Sequence, residues 1–156
     1  METKDTFTYL EALGKQESSG RYYVKNWANY LGMYQMGEAA LIDAGYYKPS
    51  NKKYDDNINH WDGEFTGKNN VFSVEDFLCN VEAQEDAIRT YQAKTWKSIK
   101  DVAEKYDGKM INGIKMTKSG MLAGAHLVGH GGLKEYLRSN GKIIPKDAVK
   151  FLSKNI

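Results

Sequence analysis

A chain of 156 residues with 41% hydrophobic and 27% charged side chains is long enough to bury a real core as one domain without staples. Its 22 basic and 20 acidic residues leave a net charge of +2, too small to argue for a nucleic-acid partner and compatible with an anionic substrate without demanding one. The single cysteine excludes an intramolecular disulfide and a multi-cysteine metal site, and no stretch has the apolar length of a membrane span.

The first predicted helix covers residues 5–17. Asp5 or Thr6 is the N-cap, and Phe7, Leu10 and Leu13 with Ala12 follow at helical spacing. Behind Glu17 the chain is too rich in Ser, Gly, Asn and Tyr to stay helical. The Glu17 carboxyl is therefore expected at a helix C-terminal end, whose partial negative charge disfavours ionisation and pushes the pKa upward. An acid still protonated near neutral pH is what a glycosidic oxygen needs as its proton donor. Taken alone, a solvated Glu at a helix end is the simpler account.

From Ser18 to Met33 no period holds. Tyr22, Tyr23, Trp27 and Tyr30 divide between aromatic core and a platform for the C–H faces of pyranose rings. Residues 36–45 form a short helix with Glu38 in its first turn and Gly45 at its close, and residues 46–49 turn the chain. Residues 50–72 are polar and make a long irregular loop or a small hairpin. Asp55, Asp56 and Asn57 within it lack the closing acidic residue of a calcium loop.

Ser73 and Asp76 start a helix that leads, through Phe77, Leu78 and Val81, into the longest periodic run in the chain: Ala87, Ile88, Tyr91, Thr95, Trp96, Ile99, Val102 and Ala103. This is the expected central helix. Cys79 lies in its apolar pattern and reads as a buried structural thiol. Residues 108–115 read as a linker, Thr117 as the cap of a fully buried helix through MLAGAHLVG, and Gly129 to Gly132 as a tight turn. GLKEYLRSNG is another amphipathic helix, and Pro145 opens the last one. No period of two and no internal repeat is visible, so the fold class is all-α or nearly so, α+β with a minor hairpin at most. His126 and His130 have helical i, i+4 spacing, but Leu127 stands where a zinc protease needs Glu, and His60 is remote in sequence. Neither a metal nor a cofactor is expected.

Glu17-Ser18, LGMYQMG at 31–37 and AHLVGHGG at 125–132 resemble, in order and rough spacing, three motifs of the lysozyme-like superfamily of lytic transglycosylases and goose-type lysozymes. Those motifs are a catalytic Glu-Ser, a Gly-Leu-Met-Gln-like turn and an Ala-Tyr-Asn-Ala-Gly-like segment. The chain resembles in particular the small peptidoglycan hydrolases of phages and secretion-system spike proteins, and the resemblance covers nearly its whole length. It implies one lysozyme-like helical domain over 1–156, with a central buried helix and a substrate groove. The implied activity is that of a muramidase or lytic transglycosylase cleaving the MurNAc-GlcNAc β-1,4 bond, with Glu17 as general acid and base. Tyr34 and Gln35 match the Met-Gln positions, where Gln can hydrogen-bond sugar. Ser18 and Tyr30 join the expected substrate contacts. His126 stands where the family has Tyr and Leu127 where it has Asn, so those two roles do not transfer; His126 reads as a buried imidazole or a substrate contact. Gln84 and Glu85 open the long helix and face the groove or solvent.

Glycosidases commonly use two carboxyl groups. Glu38 is the first candidate for the second, since it follows the YQMG turn, although a favourable helix-dipole contact explains it equally well. Asp43, Asp62 and Glu64 stay open. A lytic transglycosylase needs only Glu17 and yields a 1,6-anhydromuramic product. The competing reading is a non-catalytic glycan-binding or phage or secretion structural module of the same fold. The expected partner is the peptidoglycan glycan strand. METKDTFTYL has no classical signal peptide, so the expectation is a protein made in the cytoplasm that reaches the periplasm or cell wall by holin-dependent release or on a secretion-system carrier, in the latter case with an immunity protein.

Overall fold

A computed structural model describes Leu13 and residues 20–145. Of the first expected helix only Leu13 falls among these; it is helical and buried. Glu17, Ser18 and the helix expected after Pro145 lie outside the described residues. The chain divides into two compact units, one running to Tyr91 and the other starting at Gln92. Helices dominate, accompanied by two short antiparallel hairpins.

In the first unit, α1 spans Glu38–Asp43. Its end is a Schellman motif: Gly45 N–H donates to Ile42 O at 3.0 Å and Tyr46 N–H to Leu41 O at 2.9 Å. Lys68 adds a bond to Ala44 O at 3.0 Å, placing a cation at the helix C-terminus. The expected turn at 46–49 is instead strand β1, Tyr47–Lys48, paired with β2, Glu64–Phe65, in the register Tyr47↔Phe65 and Lys48↔Glu64. The polar stretch from 50 is thus the loop of a small hairpin. A 3-10 turn at Lys68–Asn70 leads into α2, Val74–Leu78, capped by Ser73 Oγ accepting from Asp76 N at 3.1 Å.

The expected continuous helix from 73 is interrupted. Asn80 Oδ1 accepts from Ala83 N at 2.9 Å, so Asn80 caps a new helix, α3, Val81–Tyr106. The interruption also corrects the reading of Cys79. It is the C-cap residue of α2 and is exposed, because its apolar neighbours Phe77 and Leu78 take the buried side of that short helix. The apolar stripe of α3 serves two cores in turn. Ala83, Ala87 and Ile88 pack with Leu31, Met36, Leu41, Tyr46, Val71 and Phe77 in the first unit.

In the second unit, Ile99, Val102 and Ala103 pack with Ile111, Met121, Ala125, Leu133 and Leu137. The expected linker at 108–115 is a hairpin, with β3 at Met110–Ile111 and β4 at Ile114–Lys115. Asn112 and Gly113, at φ 51° and 77°, form its two-residue turn. Strands of two residues leave no period to see. Helix α4, Lys118–Arg138, starts with Thr117 Oγ1 accepting from Gly120 N at 3.1 Å. Only Gly129, at φ 78° and ψ 161°, leaves helical geometry, so the turn expected over 129–132 is a one-residue break. Nor is the 118–128 segment buried all round: Met121 and Ala125 face the core while Leu122, His126 and Leu127 are partly exposed.

Candidate functional site: a braced turn and its aromatic rim

Residues 22–38 have little regular structure, and side chains as well as backbone hold the segment together. Asn26 Oδ1 accepts from Ala28 N at 3.0 Å and Tyr30 N at 2.9 Å, closing one loop locally. Leu31 and Met36 exchange both backbone bonds, at 3.0 and 2.9 Å, which closes LGMYQMG into a tight turn; Gly32 N–H reaches back to Val24 O at 2.7 Å. Gln35 takes φ 48° at the tip and donates from Nε2 to Gly32 O at 3.0 Å.

The turn is fastened to α3 by two adjacent side chains. Gln84 is 1% exposed. Its Oε1 accepts from Met33 N at 2.8 Å, and its Nε2 donates to Phe77 O at 3.0 Å and to Tyr22 O and Leu78 O at 3.2 Å. A Cβ at Gly32 would stand 2.2 Å from Gln84 Oε1, so glycine at that position makes room for the amide. Gln84, expected to face the groove or solvent, has its amide engaged by four backbone groups of the protein. Glu85 beside it accepts from Tyr22 Oη at 2.6 Å and Tyr34 Oη at 2.7 Å, with Arg89 at 3.9 Å. Burial and the bond to Glu85 push the Tyr22 phenol up to about 12 and hold that of Tyr34, itself buried, well above the usual phenol range.

Glu38 is half-buried at the start of α1, with its own N–H on Asn59 Oδ1 at 2.8 Å. Its carboxylate accepts from His60 N and Trp61 N, both at 3.2 Å. Buried Asn59 also donates from Nδ2 to Ala28 O at 3.0 Å, and Trp61 Nε1 donates to Asn29 O at 2.8 Å. Glu38 is therefore a clasp between the turn and the long loop. Of the other carboxylates, Asp62 accepts from Tyr54 Oη at 2.7 Å and Ser50 Oγ at 2.9 Å; the Tyr54 bond leads in holding it below its usual range. Asp43 and Glu64 are exposed.

Beside Lys25 and Asn26, the segment exposes aromatic rings to solvent. Trp27 is 82%, Tyr23 61% and Tyr30 37% exposed, and the Tyr30 ring lies against Gly37. Tyr30, Tyr34, Gln35, Glu38 and Gln84 thus belong to one unit. His126 belongs to the second unit, where burial lowers its imidazole pKa. Sequence reasoning missed Asn59 and Trp61, whose partners lie about thirty residues away in the chain, and Glu85 as the tyrosine anchor; its tyrosine partners were visible only as a series. Among the described residues no group of three or more His, Cys, Asp or Glu could hold a metal ion, and no helix is long and apolar enough to cross a membrane. Compared with protein-family models, with curated proteins and with solved structures, the chain finds no match.

Proposed function

We propose that the protein is a peptidoglycan-cleaving glycosidase that uses Glu17 as general acid and then base on the MurNAc-GlcNAc β-1,4 bond. The observation that carries this reading is the second motif. LGMYQMG lies in sequence between Glu17-Ser18 and AHLVGHGG, and it folds as a turn locked by paired backbone bonds and by Gln84, with an aromatic rim open to solvent. Protonation of the glycosidic oxygen by Glu17 would release the leaving sugar and develop oxocarbenium character at the muramyl anomeric carbon. The Glu17 carboxylate would then take a proton either from water, giving a reducing end, or from the muramyl 6-hydroxyl, giving a 1,6-anhydro ring. The engagement of Glu38 by two backbone N–H groups favours the single-acid route, since those bonds already define a structural role for it.

A second reading, glycan binding without cleavage, is favoured by the exposure of Trp27 and Tyr23, which suits ring stacking whether or not a bond is cut. One assay separates the two. Incubated with purified sacculi, the wild-type protein is expected to lower turbidity and release muropeptides, while Glu17→Gln releases none because the amide keeps the shape but donates no catalytic proton. Mass spectrometry of the products then distinguishes anhydro from reducing ends. Wild-type protein that sediments with sacculi and releases nothing across a broad pH range would replace the enzyme by the binding module. Delivered to the periplasm with an exported signal peptide, the chain should lyse the cell in a Glu17-dependent manner.

A further inference from the structure

The first unit contains a cavity of about 510 Å³ between the β1–β2 hairpin and the start of α2. Trp61, Phe65 and Phe72 supply its rings, and Glu64, Gly63 and Ser73 its polar groups. Three features converge on it. Phe72 is 66% exposed and lines the cavity, so its ring is open to a ligand there. Its ring packs over Gly67, at φ 84°, where a Cβ would come within 2.8 Å of it.

Trp61 holds a backbone conformation of φ 52°, which bulky residues rarely adopt. The Glu38 carboxylate on its N–H and Asn29 O on its indole N–H keep it there. Both of its polar donors are thereby used, and what it offers the cavity is π surface, stacked at 5.8 Å on Phe65. Glu64, the third feature, is exposed, and among the described residues its carboxylate makes no hydrogen bond or ion pair, although Lys48 is its partner across the strands. Among the described residues no lysine or arginine lines the cavity. A lining of three rings and one unpaired carboxylate selects a cation on an apolar stem, because ring faces and carboxylate both attract positive charge while the rings also accept methylene groups.

We propose that this cavity binds an alkylammonium group, with Glu64 as counter-ion and Trp61, Phe65 and Phe72 as its π lining. The ligand is the charged end of a lysine-like side chain or of a small amine. Binding is read without turnover, so its outcome is independent of whether Glu17 cleaves glycan.

The test uses the three tryptophan indole N–H resonances of the ¹⁵N-labelled chain, told apart by Trp27→Phe and Trp96→Phe. Nα-acetyl-lysine methylamide is expected to move the Trp61 resonance saturably, while the uncharged norleucine analogue of the same length leaves it in place. Cadaverine as a second probe tells the source: equal affinity marks a site for free amines, and preference for the capped lysine marks a peptide side chain. Phe72→Ala should weaken binding about two- to fivefold, the size of one exposed cation–π contact. Glu64→Gln should weaken it more, and added salt should weaken the wild type but not Glu64→Gln. Both positions are exposed, so neither substitution threatens the fold. A Trp61 resonance that ignores the amines, follows norleucine equally, or responds unchanged in Glu64→Gln would overturn the proposal.

Discussion

From Tyr22 to Ile88 the first unit commits polar side chains to groups far away in the chain: Gln84 to the backbone of residues 22 and 33, Glu38 to residues 60 and 61, Asn59 to residue 28. From Ile99 to Leu137 the second unit closes an aliphatic core between the later part of α3, the β3–β4 hairpin and α4. The difference follows from backbone accounting. Helices satisfy their own N–H and C=O groups and need only an apolar stripe to pack, whereas a loop-built surface must find a partner for each buried polar group, and side chains supply it. The loop-built unit tolerates polar substitution badly and gains positioned backbone and exposed rings in return.

The sharpest way to test that contrast is to remove one brace from each unit. Gln84→Ala strips hydrogen bonds from one N–H and three carbonyls and leaves a hole under Gly32, which should cost about 3–5 kcal/mol. Leu137→Ala, fully buried in the second core, should cost about 2–4 kcal/mol through its cavity. Trp61 lies in the first unit and Trp96 in the second, so urea unfolding followed in single-tryptophan backgrounds assigns each loss to its unit. If both reporters shift together for both variants, the chain unfolds as one cooperative body and the division carries no thermodynamic weight.

These same residues show what could and could not be read beforehand. The stripe from Ala87 to Ala103, the caps Ser73 and Thr117 and the closing Gly45 are local patterns, each decided within a turn or two of helix, and the helices they predict are present. The break at Asn80 was hidden because Leu78 and Val81 keep helical spacing across it, and Cys79 was misread with it. Asn112-Gly113 is a hairpin turn signal, but strands as short as Met110–Ile111 give no alternation to support it. At the candidate site the LGMYQMG turn was visible as a motif, while the residue fastening it lies 51 positions from Met33, a pairing no local rule contains. Gln84 was accordingly assigned to the ligand rather than to the turn.

Glu38→Gln is a milder probe of the same clasp. The amide can still accept from one of the two N–H groups but loses the charge that strengthens both bonds, so about 1–2 kcal/mol should go from the first unit, read at Trp61. In a single-acid mechanism glycan turnover at a temperature where the variant is folded should fall only modestly. Loss as complete as that expected for Glu17→Gln would make Glu38 a catalytic partner.

The smallest expected effect comes from alkaline pH and concerns the phenols tied to carboxylates. Burial and the bond to Glu85 raise the Tyr22 pKa from 10.0 to about 12; burial foremost, with the nearby Glu38 charge, does the same for Tyr47. A phenol raised in the folded state is ionised first in the unfolded chain. Between pH 10 and about 12 the unfolded state therefore binds fewer protons, and stability must fall with rising pH across that window, having been fully present below it. Tyr22 is only partly buried, so solvent screening leaves its contribution under about 1 kcal/mol. Urea midpoints at Trp61 should thus decline from pH 10 upward, and Tyr22→Phe, less stable at pH 8 for want of its bond to Glu85, should show a shallower decline. A variant whose midpoint falls as steeply as the wild type would mean that the Tyr22 hydroxyl is not held by Glu85 in solution, and the brace on the turn would then rest on Gln84 and Tyr34.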